Sequence, residues 1–466
     1  MTTIEQRSPG APTAGAIAAR ALALRNGASQ ASLVSIPVPP VMLAAFRSLG
    51  LDGLRARSLV TWERPSEGTS LFGLGETIRL SGQRGEGLGA AMPALRSLAA
   101  AARSAVSGHS RPRFFGGCRF QPGGRADDPA WDPLGGWQFV LPRFLVAVRG
   151  DAMEASLTLL MDDASTTLSE AALIEAEATA ALAPRSPGRT GHPSHRDEGL
   201  DDPAWQDAVA ATVREIEAGR YQKAVLARQL HIVQERPIEP ATVLERLRLR
   251  YPGCYVFSFA AGETTWLGAS PELLVSLERG EVQAASLAGS RPRGIDDESD
   301  RRLAQDLLAS VKERAEHGFV VSAICEALAP VCSALEAPET PVLMRMSNIQ
   351  HLFTPVTARV RPGIDILDLV DRVHPTPAVG GWPREASFEA IERLEQMDRG
   401  WYAAPIGWMD LAGEGEFAVA LRAARVCGDE ATLFAGAGIV EGSIPAEELA
   451  ETELKFRPLR EALAGD

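Results

Sequence analysis

Short apolar runs separated by turn residues fill much of the second half of this chain. In "CYVFSFAAGETTWLGASPELLVSLERGEVQAASLAG", residues 254–289, aromatic and β-branched residues alternate with Gly, Pro and charged positions. This pattern is typical of antiparallel strands joined by tight turns. Helical patterns such as "DRRLAQDLLASVKERAEHGFVVSAICEAL", residues 300–328, lie between groups of strands. We therefore predict an α+β fold and not a series of parallel βαβ units.

One change in composition divides the chain into three parts. Residues 183–205, "APRSPGRTGHPSHRDEGLDDPAW", are rich in Pro, Gly, Ser and charge and carry no apolar periodicity, which predicts a surface loop. Residues 1–182 form an N-terminal part, whose first 29 residues indicate a polar start followed by an Ala-rich helix. Residues 206–466 form the third part.

Charge and cysteine content exclude several classes of protein. A net charge of −13 argues against non-specific binding to nucleic acid or to an anionic membrane surface. Five cysteines without CxxC spacing indicate neither a disulfide framework nor a zinc site. No run approaches the ~20 apolar residues that a membrane span needs, and no secretion signal is evident. We expect a soluble, cytoplasmic protein.

Lysine is almost absent from this chain. Only Lys223, Lys312 and Lys455 are lysines, and the other 44 of the 47 basic residues are arginines. A buried lysine can lose its proton and act as a base, whereas arginine is effectively always protonated. Chance survival of three lysines is the alternative explanation.

Two helical patterns carry paired carboxylates. Glu313 and Glu316 are three residues apart, as are Glu448 and Glu451, so each pair shares a helix face. Carboxylate oxygens suit Mg²⁺, which takes only one or two protein carboxylates and keeps water or substrate oxygens. Solvated helix faces paired with neighbouring basic residues are the alternative, and spacing alone does not separate the two.

Further positions indicate an anion site. Glu272 follows a Ser-Pro turn, where an inward-facing acid would have a raised pKa. The amides of Gly289 and Ser290 could hold an anion, and Gly436 in "FAGAGIV" allows close approach of a backbone. That motif lacks the GxGxxG of a dinucleotide fingerprint. Arg422 and Arg425 are predicted to lie in a strand, and one of them could bind a carboxylate.

In order along the chain, "GASPELLV", "LAGSRPRG", "VKERAEH", "HPTPAVGG", "GWMDLAGEGEFAVALR", "FAGAGIV" and "ETELKFRPL" resemble the motifs of the chorismate-utilising enzymes. This family includes isochorismate, salicylate and anthranilate synthases, and the resemblance covers roughly residues 205–465. It implies a sandwich of antiparallel sheets flanked by helices, built as one unit around one active site. On that basis the segment 183–205 would be a loop within the unit.

The resemblance also implies a reaction. In family members that add water to chorismate, a lysine at the position of Lys223 is the general base and a glutamate at the position of Glu272 is the general acid. Ammonia-using relatives carry another residue in place of this lysine. A further branch often has a nucleophilic lysine where this chain has Ala288. Water addition at C2 with loss of the 4-hydroxyl is therefore the expected chemistry.

The remaining roles are implied by the same resemblance. Glu316 and Glu451 would bind Mg²⁺, with Glu313 and Glu448 acting on the ion through water. The resemblance assigns no role to Lys312, which we interpret as structural. The expected substrate contacts are Gly289, Ser290, His351, Tyr402, Leu421, Arg422, Gly436 and Lys455; for His351, a satisfied core histidine is the alternative.

The motifs leave several functions open. Tyr402 with Leu421 also occurs in salicylate synthases, which form isochorismate and then eliminate pyruvate. A siderophore-pathway isochorismate synthase and a catalytically silent chorismate binder also fit these residues. The N-terminal "TWERPSEGTSLFGLGE" resembles menaquinone-pathway isochorismate synthases, so menaquinone biosynthesis is the predicted pathway. A monomer without a glutaminase partner is expected.

Overall fold

A computed structural model describes residues 32–124, 128–161, 198–199, 202–346, 349–395 and 397–465. The predicted Ala-rich helix within residues 1–29 lies outside these ranges. So does most of the predicted loop 183–205, although its last residues, from Asp202, begin a helix. Pro203 in the first turn explains that start, because its missing N–H has no intrahelical partner to lose.

The strands of the described residues are listed here in chain order. They are β1 (Ser32–Pro37), β2 (Val60–Arg64), β3 (Thr69–Gly82), β4 (Arg103–Ser104), β5 (Arg113–Cys118), β6 (Trp137–Arg149), β7 (Ala152–Met161), β8 (Glu198–Gly199), β9 (Lys223–Val233), β10 (Tyr255–Ala261), β11 (Thr264–Ser270), β12 (Leu273–Glu278), β13 (Glu281–Pro292), β14 (Cys332–Glu336), β15 (Val342–Arg345), β16 (Ile349–Val360), β17 (Gly381–Trp382), β18 (Pro405–Asp410), β19 (Gly415–Val419), β20 (Ala423–Cys427) and β21 (Glu430–Ile439).

The α-helices of the same residues flank these strands. They are α1 (Pro40–Arg55), α2 (Leu88–Ala101), α3 (Asp202–Glu217), α4 (Pro240–Arg250), α5 (Asp297–Ala309), α6 (Val311–Leu328), α7 (Ile366–Val373), α8 (Arg384–Leu394) and α9 (Pro445–Ala464).

Two wings of sheet diverge from the long strand β6. One wing runs through β3, β2, β10, β11, β20, β21 and β9, and the other runs through β5, β18, β19, β12, β13 and β16. These pairings are all antiparallel, as the hairpin-like sequence pattern predicted. The α+β prediction is confirmed.

The main hydrophobic core lies between the two wings. It contains Phe257 and Trp266 from the first wing and Leu274 and Phe417 from the second, each almost fully buried. Burying one such side chain contributes roughly 1.5–3 kcal/mol relative to leaving it exposed. This shared core holds the wings together as a sandwich, which matches the layout that the family resemblance implied.

Strands from both ends of the sequence pair directly with each other. Strand β2 of the N-terminal part pairs with β10, and β5 pairs with β18. The predicted boundary between residues 1–182 and 206–466 is therefore crossed by two ladders of backbone hydrogen bonds.

No helix among the described residues is long and apolar enough to cross a membrane.

The helical pattern of residues 300–328 is not one helix. It is divided between α5 and α6 at Ser310, whose backbone is extended and whose hydroxyl accepts a hydrogen bond from the Glu313 amide, at 3.3 Å. Ser310 thus caps the start of α6, as serine commonly does. The break turns the first residues of α6 toward the cavity described next.

Candidate active site

A cavity open to solvent lies between the wings and beside the first turns of α6 and α9, and the space within it, including its open mouth, is about 900 Å³. Side chains or backbone of all fourteen residues predicted for the site line it. They are Lys223, Glu272, Gly289, Ser290, Glu313, Glu316, His351, Tyr402, Leu421, Arg422, Gly436, Glu448, Glu451 and Lys455.

Lys223 is the first residue of β9 and only 1% exposed. Its Nζ lies 2.5 Å from Oε1 of Glu316, so a buried cation and a carboxylate are paired on the cavity wall. Gly438 on the adjacent strand β21 makes room for this pair. A Cβ at that position would lie 2.9 Å from Glu316 Oε1 and 3.0 Å from Lys223 Cε, closer than side chains normally approach.

Glu272 occupies the link between β11 and β12 and is 3% exposed. Its Oε1 has no hydrogen-bond partner among the described residues. Burial raises the pKa of this carboxyl to about 8, although the nearby cations Lys223, Arg422 and Lys455 oppose the shift. At neutral pH the group is therefore protonated and can donate a proton into the cavity.

The two carboxylate pairs project from the first turns of α6 and α9. Glu313 is paired with Arg291 at 2.7 Å, and Glu451 is paired with Lys455 at 2.6 Å. The Lys455 ammonium also donates to the Gly436 carbonyl oxygen at 2.7 Å. The carboxylates of both pairs line the cavity, and Glu313 and Glu448 are buried.

Glu448 and Glu451 lie close enough to repel each other. Burial, followed by the charge of Glu451, raises the pKa of Glu448 to about 7. Burial would also raise the pKa of Glu451, but Lys455, His351 and Ser290 outweigh it and lower that pKa. Converging carboxylates of this kind fit a divalent cation that would relieve their repulsion.

The donor set indicates which cation fits. Among the described residues, no three His, Cys, Asp or Glu side chains are grouped closely enough to hold a metal by themselves. A zinc-type site is therefore not formed by these residues. Glu316 and Glu451, one from each helix, suit an ion such as Mg²⁺ that keeps most of its coordination for water or ligand oxygens.

The opposite wall is built from β13 and β16. Strand β13 bulges between Ala288 and Ser290, and Gly289 in the bulge has φ +77°, which favours glycine. A Cβ on Gly289 would also approach Glu313 Oε2 to 3.0 Å. Ser290 donates its hydroxyl to Glu451 Oε1 at 3.3 Å, which links this wall to α9.

His351 on β16 faces the same space. Burial, with Arg422 and Lys455 nearby, lowers the pKa of its imidazole to about 3, so the ring is neutral. The ring hydrogen-bonds the backbone of Gly289, and its Nε2 has no partner among the described residues. It is thus a pocket residue with a free nitrogen, and the alternative of a satisfied core histidine does not hold.

Arg422 does not lie in a strand, contrary to our prediction. It lies between β19 and β20 with φ +47°, a conformation that side-chain-bearing residues adopt at a cost. This turn directs Leu421 and Arg422 to the cavity. Arg425, which is in β20, instead pairs with Asp128 at 2.9 Å and does not line the cavity.

Tyr402 is buried and its ring stacks on Phe434, with centroids 5.4 Å apart. Burial raises the pKa of its phenol to about 12. Its neighbour Ala403 has φ +59° and also lines the cavity, which sequence reasoning did not identify. The motif "HPTPAVGG" supplies the wall residues Ala378 and Val379.

Arg399 is a second residue that sequence reasoning missed. Its guanidinium donates to Glu395 Oε2 at 2.8 Å, to the Val379 carbonyl at 2.9 Å and to the Val225 carbonyl at 2.6 Å. It also lies over the Phe120 ring, 4.3 Å from the centroid. The buried Arg399–Glu395 pair therefore connects β9, the strand that begins with Lys223, to Val379 in the cavity wall. No local sequence signal reveals this role.

Known proteins are similar to this chain over the region that builds the cavity. Residues 19–464 match a family model described as chorismate binding enzyme. The chain is 38% identical over 444 residues to the salicylate biosynthesis isochorismate synthase of Pseudomonas aeruginosa, covering 91% of this chain and 90% of that protein. It is 43% identical over 269 residues to the isochorismate synthase MenF of Bacillus subtilis, covering 58% and 57% of the two chains.

A solved structure shares the whole architecture. The menaquinone-specific isochorismate synthase MenF from Escherichia coli aligns with a TM-score of 0.78 at 25% identity. The alignment covers 96% of this chain and 99% of that one, so both wings and the N-terminal part are included.

Proposed function

The chain belongs to the chorismate-binding enzyme family, and on that premise we propose that it is an isochorismate synthase that adds water to C2 of chorismate and removes the 4-hydroxyl. One observation carries the proposal. A buried lysine and a buried, protonated glutamate, Lys223 and Glu272, line the same cavity.

The proposed reaction uses these two groups in complementary roles. Lys223, in the neutral form that a general base requires, accepts a proton from the water that attacks C2, and the ring double bonds shift as the C4–O bond breaks. Glu272 donates its proton to the departing hydroxyl, which leaves as water. One water enters and one leaves, so substrate and product are isomers, and proton exchange with solvent restores both residues. Each proton transfer typically contributes about 10²–10⁴-fold in rate.

The other residues of the cavity hold the substrate. Chorismate carries two carboxylates, and Arg422 and Lys455 are the cavity cations that we assign to them. Amides near Gly289 and Gly436 add neutral donors. The free Nε2 of the neutral His351 can accept a hydrogen bond from a substrate hydroxyl.

We assign Glu316 and Glu451 as ligands of Mg²⁺, with Glu313 and Glu448 reaching the ion through water. Bound there, the ion would neutralise and orient a substrate carboxylate. A cation bound there would also offset the repulsion between Glu448 and Glu451, which, after burial, contributes to the raised pKa of Glu448.

The pathway that the product serves is proposed on similarity alone. The Bacillus and Escherichia relatives named MenF support menaquinone biosynthesis. The Pseudomonas relative, similar over almost its full length, supports supply of a salicylate or siderophore pathway as the second candidate. Deleting the gene in its own host and quantifying menaquinone and salicylate separately distinguishes the two.

The test of the activity is chromatography of purified protein incubated with chorismate, with and without Mg²⁺. We expect Mg²⁺-dependent isochorismate without pyruvate. Salicylate with stoichiometric pyruvate, above the uncatalysed background, would instead identify a salicylate synthase. Metal-dependent binding of chorismate without any product would identify a catalytically silent binder.

A further inference from the structure

The three lysines of this chain line one cavity. Lys223, Lys312 and Lys455 are far apart in sequence, yet each contributes to the wall described above. Of the arginines that the structure describes, Arg399 and Arg422 are the ones that line it. Lys223 and Lys455 have assigned roles, so Lys312, which the sequence suggested to be structural, is the one without an explanation.

Lys312 is poorly placed for a structural role. It is exposed and lies in the first turn of α6, between Val311 and the Glu313 side chain that faces the cavity. A cation at the start of a helix opposes the helix dipole, so it destabilises the helix slightly. Among the described residues it has no ion-pair partner within 4 Å and no side-chain hydrogen bond. Its place in the fold is therefore not explained by stability.

The other cations of the cavity lie deeper or are already engaged. Lys223 is paired with Glu316 at 2.5 Å and Lys455 with Glu451 at 2.6 Å. Arg399 is buried and held by Glu395 and two carbonyl oxygens. Arg422 lies on the wall, where burial lowers its pKa. Among the described cations that line this open cavity, Lys312 is the one classed as exposed, so we place it nearest the opening.

The charge around the opening makes such a cation useful. Five carboxyl groups line the cavity, and the whole chain carries a net charge of −13. A dianionic substrate approaching this surface is repelled unless a local positive charge offsets the field. Lys312 acts on this region already, since its charge opposes the rise in the pKa of Glu448.

We propose that Lys312 is a substrate-capture residue, which attracts the dianionic substrate to the opening of the cavity without contacting the reacting atoms. The inference rests on the proposed function for the identity of the substrate. Its ammonium on a flexible stem attracts a carboxylate from a distance, a task that depends on positive charge and not on a two-point contact, so arginine should also serve.

The test is the salt dependence of turnover in Lys312→Ala, Lys312→Glu and Lys312→Arg. Arg314→Ala is the matched control, because Arg314 is an exposed cation two residues along the same helix and does not line the cavity. Initial rates are measured with chorismate at saturating Mg²⁺, at an ionic strength of about 0.02 M and of about 1 M, where screening removes the field beyond roughly 3 Å.

At low ionic strength we expect KM for chorismate to rise about threefold to tenfold in Lys312→Ala, and further in Lys312→Glu. We expect kcat to change less than about twofold, because the residue does not act on the transition state. The difference in KM should vanish at high salt, Lys312→Arg should restore the wild-type KM, and Arg314→Ala should match wild type. No variant should lose thermal stability.

Three outcomes would overturn the inference. They are a wild-type KM in Lys312→Ala at low salt, an increase that persists unchanged at high salt, and a large loss of kcat. An equal rise in KM in Arg314→Ala would also overturn the inference, since it would show that the effect comes from the general surface charge and not from Lys312. If wild-type protein itself fails to turn over chorismate, the proposed function fails instead, and the two failures are separated by that one control.

Discussion

Glu272 is a residue whose proposed function conflicts with stability. A carboxyl group buried without a hydrogen bond on one oxygen costs folding free energy, and Oε1 of Glu272 is such an atom. The same burial keeps the group protonated near neutral pH, as a general acid requires. The cost and the activity therefore have one physical cause.

Replacing Glu272 with Gln should separate the cost in folding stability from the contribution to activity. The carboxyl has a pKa of about 8 in the folded chain and an ordinary value of 4.5 when exposed. Between these values the unfolded chain releases a proton that the folded chain retains, so folding stability falls as pH rises through this window. We expect Glu272→Gln to abolish turnover and to raise the free energy of unfolding by roughly 1–3 kcal/mol at pH 8, but not near pH 4.5.

Denaturant unfolding of both proteins at several pH values measures this difference. A stability gain that is the same at pH 4.5 and pH 8 would show that ionisation is not its cause. Full turnover in Glu272→Gln would remove the residue from the chemistry.

The pH dependence of turnover provides a second prediction at this scale. Because Glu272 must be protonated to donate, kcat/KM should fall as pH rises through about 8. Lys223, Arg422 and Lys455 are the charged groups that act on it, and all three favour its ionised form. A rate profile with saturating metal tests this, and a profile that is flat between pH 7 and 9 would contradict the assignment of the acid.

At the scale of elements, the pairing of β9 with β21 positions Lys223, the proposed general base. Gly438 lies opposite Val225 in this ladder, and its missing side chain makes room for Lys223 beside Glu316. Close packing around a functional pair makes a single methyl group significant, since interiors hold few voids.

We therefore expect Gly438→Ala to reduce kcat at least tenfold by displacing Lys223 or Glu316, because catalysis is sensitive to displacements near 1 Å. Gly318→Ala is the matched control. Gly318 lies on α6 with nothing within 4 Å of its hypothetical Cβ, and alanine there should stabilise the helix by about 1 kcal/mol and leave activity intact. Wild-type kcat in Gly438→Ala would show that the pair tolerates movement.

The elements that sequence predicted well are those with strong local patterns. The hairpins β10–β11, β12–β13 and β20–β21 follow directly from their alternation of apolar runs and turn residues. The break at Ser310 and the left-handed turn at Arg422 were not predicted. Both positions read locally as continuous helix or strand, and tertiary contacts at the cavity override that preference.

At the scale of the whole molecule, the two ends of the chain cannot be separated cleanly. The ladders from β2 to β10 and from β5 to β18 join them, as does a buried ion pair between Arg55 and Glu63 that extends to Glu245 on α4. Arg55 and Glu63 are both 1% exposed at their side chains, so water cannot replace their contacts.

A fragment of residues 206–466 should therefore not fold alone, although it contains every predicted site residue. We expect the fragment to lack a cooperative thermal transition and to bind a dye that reports exposed apolar surface. The full chain should unfold in a single transition. A fragment that melts cooperatively would show that the predicted boundary separates two independent domains.

The composition of the cavity was predictable because its motifs are local, but its assembly was not. Each of the seven motifs contributes two to four lining residues, and their order along the chain sufficed to group them. The Arg399–Glu395 pair and the pairing of N-terminal strands with C-terminal ones depend on contacts between distant residues. A single sequence carries no signal for such contacts, so these features were found only in the structure.

Isotope incorporation tests whether Lys223 and Glu272 together add solvent water to chorismate. In water enriched in ¹⁸O, at early time points, isochorismate formed by the wild-type protein should carry one ¹⁸O atom, in the hydroxyl at C2. Lys223→Met should form no labelled product while still binding chorismate. Unlabelled isochorismate from the wild-type protein would mean that the hydroxyl migrates within the substrate, and it would contradict the proposed roles of both residues.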